Sequence, residues 1–327
     1  MNADHATARA LWYVAPGRVE IQDATLGALA PGMARVRARF GAVSRGTEAV
    51  ILAGGVPVSE YERMRAPFMA GRFPFPVKYG YATVGRVEAG PAELVGQTVF
   101  TLYPHQTLFD VPSTAALPLP ATVPARRAVL AANMETALNA LWDLRPRAGQ
   151  RIAVVGAGVL GSLVGHLCAA SGGADVTLVD IDRDKAHIAG ALGLKFAAPE
   201  AAMAECDAVI HTSASAAGLE TALNLAGDEA TILELSWYGA KRIDVALGGA
   251  FHSRRLKLVS SQVGKVSPSH RATVSHRQRL AMAIDLLADA RLDVLLGPAI
   301  RFADLPERLP AVLAPGQGTL APVVDYS

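Results

Sequence analysis

The sequence predicts an α/β protein in which a β-rich segment precedes a doubly wound parallel sheet. Three observations carry this prediction. At 327 residues the chain exceeds the usual size of one hydrophobic core, so two domains are expected. Short apolar runs separated by glycine and proline fill the first third of the chain. From Arg151 to about Ser261, strand-like and helix-like patterns alternate, which is typical of a parallel sheet with helices on both faces.

The β-rich segment extends from Leu11 to about Pro120, and its clearest strands are RVRARF (35–40), ATVGRVEAG (82–90) and TVFTLY (98–103). Residues 125–144 have apolar residues at helical spacing and end before Pro146.

In the alternating segment, the predicted strands are RIAVV, DVTLVD, DAVIHT and ATILEL. The predicted helices end at Ser171, cover DKAHIAGALG and begin at Ala216. The tail contains a helix over 277–290 and a closing extended run, TLAPVVDY. We therefore expect a β-rich domain over 1–122, a nucleotide-binding domain over 123–270 and a C-terminal return to the first domain over 271–327.

The overall composition favours a globular protein that acts on small molecules. Half of the residues are hydrophobic and 18% are charged, which argues against disorder. A net charge of +2 gives no strong field for nucleic acid or an anionic membrane. The two cysteines, Cys168 and Cys206, form no CxxC pair, and the apolar stretch before Pro16 is too short for a signal-peptide core. We expect a cytoplasmic protein.

One segment is long enough to cross a bilayer, because Ile152 to Ala174 comprises 23 residues without a formal charge. Its glycines follow a different pattern. Gly156, Gly158 and Gly161 have the G-x-G-x-x-G spacing after a strand and at the start of a helix, which is typical of a Rossmann dinucleotide-binding loop. The sequence therefore predicts a pyrophosphate site at Gly156, Gly158, Val159, Leu160 and Gly161 rather than a membrane span.

The expected nicotinamide cofactor is NAD. Asp180 ends the next strand, 19 residues beyond Gly161, where a carboxylate accepts hydrogen bonds from the adenosine ribose and repels a 2′-phosphate. Arg183 weakens this preference, since it could reach a phosphate, but DRDK is also a simple solvated first turn of a helix.

The chain resembles the medium-chain dehydrogenase/reductase family over essentially its whole length. The matching segments are GAVSRGTE (41–48), PVKYGYATVGRVEAG (76–90) and LVDIDRDK. The resemblance implies a GroES-like catalytic domain beside the Rossmann domain, a homodimer, and hydride transfer to or from a small molecule. SRGTE and FHSRRLKLVSSQVG (251–264) are most similar to a zinc-free branch around bacteriochlorophyllide hydroxyethyl dehydrogenase, without implying its substrate.

Zinc enzymes of this family bind the metal through residues that are missing here. Where they have histidine and glutamate after a glycine, this chain has Gly80, Tyr81 and Ala82. Ser44 matches the first cysteine ligand and Ala132 matches the third ligand. The four-cysteine structural lobe is also missing, so we expect no zinc.

Without zinc, another group must polarise the substrate oxygen. Tyr81 is the leading candidate, Lys78 could lower its pKa, and Ser44 is a further proton donor. The alternative is that Tyr79 and Tyr81 only fill the cleft.

The resemblance assigns roles to several other residues. Glu48 matches an acidic position near the active site and could orient Arg45, which matches a pyrophosphate contact. Both could instead form a surface ion pair. Tyr103 matches a substrate-pocket aromatic, although a core tyrosine would look the same. The nicotinamide is expected against Thr136, Trp237 and Ser260. His105, His252, His270 and His276 have no metal spacing and are expected to be surface or structural residues.

Three functions remain open from the sequence. The first is a zinc-independent, NAD-dependent alcohol dehydrogenase or carbonyl reductase. The second is a quinone or alkene reductase that prefers NADPH. The third is a non-catalytic dinucleotide-binding sensor.

Overall fold

The computed structural model describes residues 6–314, 316 and 320–327. Within it the chain forms two compact units. The first comprises Met1–Ala132, Ile284–Ala288 and Leu296–Ser327, and the second comprises Asn133–Ala283 and Asp289–Leu295. The boundaries at residues 122 and 270 that the sequence favours remain a prediction about independently folding domains.

The strands, in chain order, are β1 (Ala6–Ala15), β2 (Arg18–Leu26), β3 (Met33–Ala42), β4 (Ala70–Gly71), β5 (Val77–Lys78), β6 (Thr83–Ala89), β7 (Thr98–Thr101), β8 (Leu108–Pro112), β9 (Leu117–Pro118), β10 (Arg151–Val155), β11 (Asp175–Val179), β12 (Lys195–Ala197), β13 (Cys206–His211), β14 (Ala226–Glu234), β15 (Lys257–Ser260), β16 (Leu296–Arg301) and β17 (Ala321–Asp325). The α-helices are α1 (Arg45–Leu52), α2 (Ala131–Leu144), α3 (Val159–Gly172), α4 (Ala186–Ala191), α5 (Ala216–Leu225), α6 (His276–Leu286) and α7 (Leu305–Leu313).

The first unit is built on two sheets. One has the strand order β2-β1-β5-β4, and the other has the order β16-β17-β3-β6-β7-β9, with β8 also paired to β3. Strand β3 shows why this sequence forms a half-buried strand: Val36 and Ala38 enter the core, while Arg35 and Arg37 point away and pair with acidic residues.

A glycine turn precedes β6 in the first unit. Gly80 has a φ of +119°, and a Cβ at this position would lie 2.9 Å from Cδ2 of His105. The position therefore needs glycine both for its backbone conformation and for the close approach of the histidine ring.

The second unit contains a six-stranded parallel sheet with the order β12-β11-β10-β13-β14-β15. This is the Rossmann order, in which the first strand of the unit lies at the centre, the next two strands are added on one side of it and the last three on the other. β10 is buried from Ile152 to Val155, as expected for a central parallel strand covered on both faces. The β-rich unit and this sheet confirm the predicted α/β fold class.

The structure differs from the sequence prediction mainly in its short elements. The predicted helix over 125–144 begins as a 3₁₀ turn, Arg127–Leu130, before α2. The uncharged run from Ile152 to Ala174 forms β10, the glycine loop and α3. Among the described residues, no helix is both long and apolar enough to cross a membrane.

Candidate functional site

The glycine loop of the second unit has the geometry of a phosphate-binding turn. A Cβ at Gly161 would lie 1.9 Å from the carbonyl oxygen of Gly156, so only glycine lets α3 begin this close to β10. A Cβ at Gly158 would meet nothing within 4 Å, which leaves open space beside the backbone at the helix N-cap. Val159 and Leu160 form the first turn of α3 and are half-buried. These features fit a dinucleotide pyrophosphate at the amino end of α3.

Asp180 follows β11 and is tied to the glycine loop. Its Oδ2 accepts a hydrogen bond from the backbone N–H of Ala157 at 2.7 Å, and its Oδ1 accepts one from the N–H of Asp182 at 2.9 Å. Lys185 Nζ lies 2.9 Å from the same Oδ2. The carboxylate is therefore held in one orientation beside the loop.

The two cations near Asp180 have different partners. Arg183, the residue that weakens the NAD prediction, forms an exposed ion pair with Glu200. Lys185 is the cation that contacts Asp180, with a side chain only 19% exposed. Lys185 lies in the DRDK turn five residues after Asp180, and this spacing is the signal in the sequence that could indicate the contact.

The three residues expected beside the nicotinamide lie on different elements of the second unit. Thr136 is half-buried in α2, Trp237 is half-buried in the loop after β14, and Ser260 is the exposed last residue of β15. Trp237 follows β14 and Ser260 ends β15, so both lie at the carboxyl edge of the sheet, where α/β proteins bind ligands. Their contact with a nicotinamide stays a prediction.

In the first unit, the residues that match two zinc ligands lie in hydrogen-bond contact. The hydroxyl of Tyr81 lies 2.5 Å from Oγ of Ser44 and 3.1 Å from Oγ1 of Thr47. Ser44 precedes α1 and Thr47 lies in its first turn, so the start of this helix presents both hydroxyls to the tyrosine. Burial raises the pKa of Tyr81, against the smaller effects of its two hydrogen-bond partners.

Glu48 is the centre of a second group of polar contacts and is fully buried. Its Oε1 accepts a hydrogen bond from the N–H of Ser44 at 2.7 Å, and its Oε2 accepts one from the hydroxyl of Tyr13 at 2.5 Å. Nε2 of His105 lies 3.2 Å from the same Oε2, and Nδ1 of His105 lies 3.1 Å from the hydroxyl of Tyr326.

Glu48 is too deeply buried for the surface ion pair that is one interpretation of this residue, and its carboxylate binds the backbone N–H of Ser44. That it orients Arg45 stays a prediction. The guanidinium of Arg45 donates instead to the carbonyl oxygens of Val312, at 3.0 Å, and Ala314, at 3.3 Å. A pyrophosphate contact of Arg45 stays a prediction.

Lys78 contacts Gln106 and Tyr103. Its Nζ donates to Oε1 of Gln106 at 2.6 Å and lies 3.4 Å from the hydroxyl of Tyr103. Burial lowers the pKa of Lys78 to about 8. These contacts are with Gln106 and Tyr103, and burial raises the pKa of Tyr81, so the expectation that Lys78 lowers the pKa of Tyr81 stays a prediction.

Tyr103 belongs to an aromatic stack. Its ring lies 3.9 Å from the ring of Phe109 at an angle of 8°, and 5.5 Å from the ring of Phe68. Phe68 is 37% exposed and lies in the long insertion between α1 and β5. Burial raises the pKa of Tyr103 to about 12, so the hydroxyl stays protonated at neutral pH.

The residues at the zinc positions do not fit zinc. Ser44 and Tyr81 offer neutral hydroxyls, the buried Ala132 offers no ligand atom, and the raised pKa of Tyr81 disfavours a phenolate ligand. Over the described parts of the chain, no group of three histidine, cysteine, aspartate or glutamate side chains is arranged to bind a metal.

Several residues of this site are not indicated by the sequence. His105 fits the expectation of a surface or hydrogen-bonded structural histidine, because it is buried and contacts Glu48, but its partner could not be predicted. Tyr13, Thr47 and Gln106 were not singled out, because their contacts join segments that are far apart in the chain. The signal that could have found His105 is the glycine at position 80, which has to leave room for some bulky neighbour.

Solved structures that resemble this chain are dehydrogenases. L-idonate 5-dehydrogenase from Escherichia coli K-12 superposes with a TM-score of 0.79 over 100% of both chains at 15% identity. An alcohol dehydrogenase from E. coli CFT073 in complex with NADH has a TM-score of 0.75 at 14% identity, and 2R,3R-butanediol dehydrogenase from Bacillus subtilis has 0.75 at 15%. Each of these two matches covers 98% of this chain and 100% of the other.

The chain has the medium-chain alcohol dehydrogenase fold. No protein-family model matches the sequence, and no curated protein matches it. At these identities the similarity is one of fold, and the medium-chain dehydrogenase fold carries many different reactions. The chemistry has to be argued from the side chains.

Proposed function

We propose that this protein is a zinc-independent oxidoreductase that transfers a hydride between NAD(H) and an alcohol or carbonyl substrate. The observation that carries the proposal is the contact between Tyr81 and Ser44, 2.5 Å apart at the positions that match two zinc ligands. A pair of hydroxyls at this place supplies a hydrogen-bond donor that can polarise the substrate oxygen, which is the role of the metal in zinc-dependent dehydrogenases.

Tyr81 is proposed to hold the proton that the substrate oxygen requires. A hydroxyl can donate one hydrogen bond and accept two. In the structure the hydroxyl of Tyr81 donates to Oγ of Ser44. A bound carbonyl or alcohol oxygen is proposed to take over this hydrogen, while Ser44 or Thr47 turns its own hydroxyl hydrogen to the phenolic oxygen. The raised pKa keeps this oxygen protonated across the physiological pH range, which suits a donor.

Glu48 and His105 are proposed to keep this donor in position. Glu48 binds the N–H of Ser44 directly, and Tyr13 and His105 hold its second oxygen. Because these groups are buried, they fix the start of α1 without facing the substrate. Lys78 and Tyr103 are proposed to bind the substrate body or an acidic group on it.

The glycine loop and Asp180 are proposed to hold NAD(H), which supplies or accepts the hydride when bound. Gly156, Gly158 and Gly161 admit the pyrophosphate, and Asp180 accepts hydrogen bonds from the adenosine ribose. The solved NADH complex of similar fold supports a nicotinamide cofactor. The carboxylate of Asp180 supports NAD over NADP, since it would repel a 2′-phosphate and it pairs with the nearby Lys185.

Steady-state kinetics with both cofactors and a panel of ketones, aldehydes, alcohols, enones and quinones tests this proposal. We expect NADH-dependent reduction of a carbonyl or NAD-dependent oxidation of an alcohol. Turnover restricted to quinones or enones with NADPH would instead identify a quinone or alkene reductase. Tight NADH binding without turnover across the panel would identify a sensor.

We further propose a cytoplasmic homodimer. Strand β15 is an outer strand of the described six-stranded sheet, and its Leu258 and Val259 are 41% and 44% exposed. An exposed apolar edge strand favours pairing with a second copy. Light scattering on the wild type and on Val259→Lys tests the dimer, which the charged variant should weaken.

The proposed cytoplasmic location is supported by the two cysteines. Both are free and buried, as suits a reducing compartment.

A further inference from the structure

A histidine and a glutamate form a buried pair at the carboxyl edge of the parallel sheet. His211 is the last residue of β13 and Glu234 is the last residue of β14, and the two are direct neighbours in the strand register. His211 is completely buried, and its Nδ1 lies 2.8 Å from Oε2 of Glu234. Nothing in the proposed hydride transfer uses this pair.

The glutamate is held as an acceptor. Its Oε1 accepts a hydrogen bond from the N–H of Ser236 at 2.7 Å, and its Oε2 accepts one from the hydroxyl of Tyr238 at 3.1 Å. Burial alone would raise the pKa of Glu234, but the hydrogen bonds and charge of His211, with help from Ser236, lower it overall. An ionised carboxylate accepts only, so Nδ1 of His211 carries the hydrogen.

The other ring nitrogen faces a serine. Nε2 of His211 lies 2.7 Å from Oγ of Ser213, which is exposed. In the neutral imidazole with its hydrogen on Nδ1, Nε2 is an acceptor to which Ser213 can donate its hydroxyl hydrogen. Oγ of Ser213 also lies 3.0 Å from Oγ of Ser215. An exposed hydroxyl, a buried base and an orienting carboxylate are thereby aligned, which is the arrangement that activates a serine nucleophile.

The first turn of α5 packs against this serine. A Cβ at Gly218 would lie 2.0 Å from Oγ of Ser213 and 2.8 Å from Nε2 of His211, so only glycine permits the contact. The first-turn N–H groups of a helix have no intrahelical acceptor. Ala216 and Ala217 lie in this turn and are exposed, so their N–H groups are candidates to stabilise an oxyanion that forms on a group attached to Ser213.

We propose that Ser213, His211 and Glu234 form a second reactive centre, which cleaves carboxylic esters. Ser213 Oγ attacks the ester carbonyl carbon while its proton moves to Nε2 of His211. The bond to the leaving alcohol then breaks, and the alcohol takes that proton. Water hydrolyses the acyl-serine by the same route, releasing the carboxylic acid and restoring Ser213. Glu234 is a positioning residue that keeps the histidine in the required tautomer.

The test uses the full-length protein, with and without NADH, a fluorophosphonate probe and p-nitrophenyl acetate. We expect mass spectrometry to find phosphonylated Ser213 in at least one of the two states. We also expect ester hydrolysis that Ser213→Ala and His211→Gln each lower by at least about tenfold, since removal of a triad member costs far more than that in established hydrolases. Glu234→Gln, which permits the wrong tautomer, should lower the labelling rate similarly.

Ser171→Ala is the matched control. This exposed serine lies at the end of α3, and its hydroxyl donates to the carbonyl of Leu167, so its removal should leave labelling and hydrolysis unchanged. Ser213→Ala removes only an exposed hydroxyl and should fold normally, which thermal denaturation can verify. The proposal is overturned if Ser213 is unlabelled in both states, or if labelling of Ser213 proceeds equally fast in His211→Gln. Neither result bears on hydride transfer.

Discussion

The phenolic oxygen of Tyr81 lies 2.5 Å from Oγ of Ser44, although the two residues are 37 positions apart in the chain. By the resemblance to zinc-dependent dehydrogenases, both stand at positions of zinc ligands, and here they bind each other. The proposed function gives these hydroxyl groups the role of the metal, and this contact leads to the first prediction.

Tyr81→Phe should lower kcat by roughly 10²–10³, because one transition-state hydrogen bond of this type contributes about 2.7–4 kcal/mol. The ring stays, so packing and the dissociation constant of NADH should hardly change. Tyr79→Phe is the matched control, since Tyr79 is also buried and its ring lies 6.1 Å from that of Tyr81. Equal turnover of Tyr81→Phe and wild type would make Tyr81 a space-filling residue.

Asp180→Ser should reduce the preference for NAD(H) over NADP(H) by about tenfold, equivalent to ~1.4 kcal/mol. The change removes a charge that repels the 2′-phosphate and leaves Lys185 without its anionic partner. The ratio of the two dissociation constants, measured by fluorescence titration, is the readout. Asp184→Ser, an exposed acid on the same turn, is the control. A wild type that prefers NADP(H) would refute the assignment.

Lys78 should make the free energy of unfolding depend on pH. Its pKa falls from 10.5 to about 8 on burial, so the unfolded chain binds more protons between these values. Wild-type stability relative to Lys78→Met should therefore rise from pH 8 to about 10.5, by up to about 3 kcal/mol.

Urea denaturation at several pH values measures this difference. Lys195→Met replaces a lysine that is 66% exposed, and it should show no such pH-dependent difference from the wild type. A constant difference between wild type and Lys78→Met across the range would mean that Lys78 is not perturbed.

Arg279 should be the most sensitive charged residue of the second unit. It is 1% exposed, its Nε donates to Glu135 at 3.0 Å, and its guanidinium also donates to Asn139 and to the carbonyl of Val263. Arg279→Met leaves Glu135 buried without its partner, which typically costs 3–5 kcal/mol of unfolding free energy. Arg147→Ala, at an exposed site, should cost less than about 0.5 kcal/mol. Similar denaturation midpoints for the two variants would contradict this account.

The sequence predicted best those elements whose local residue pattern has a direct steric cause, such as the glycine loop and the long central strands. The spacing of Gly156, Gly158 and Gly161 located the start of α3, because each glycine answers a local steric demand. The long central strands followed from their apolar runs. Short strands such as β12 and β15 escaped, since three or four residues carry too little periodicity, and β15 is exposed along its whole length.

The polar contacts of the sites depended on tertiary structure. His105 and Tyr13 reach Glu48 from strands and loops far away in the chain, and no local pattern encodes such a meeting. The buried Arg279 looked like any arginine of a basic, solvated helix. Lys78 is three positions before Tyr81 in the chain, but the partner that it binds in the structure is Gln106, which the local sequence does not indicate.

The central claim is hydride transfer without zinc, and it is tested most directly by NADH-linked turnover before and after exhaustive chelation, with zinc content measured on the same samples. We predict no stoichiometric zinc and unchanged turnover after chelation, because Ser44, Tyr81 and Ala132 provide no zinc ligand set. One zinc per chain, whose removal abolishes turnover and whose return restores it, would contradict the account.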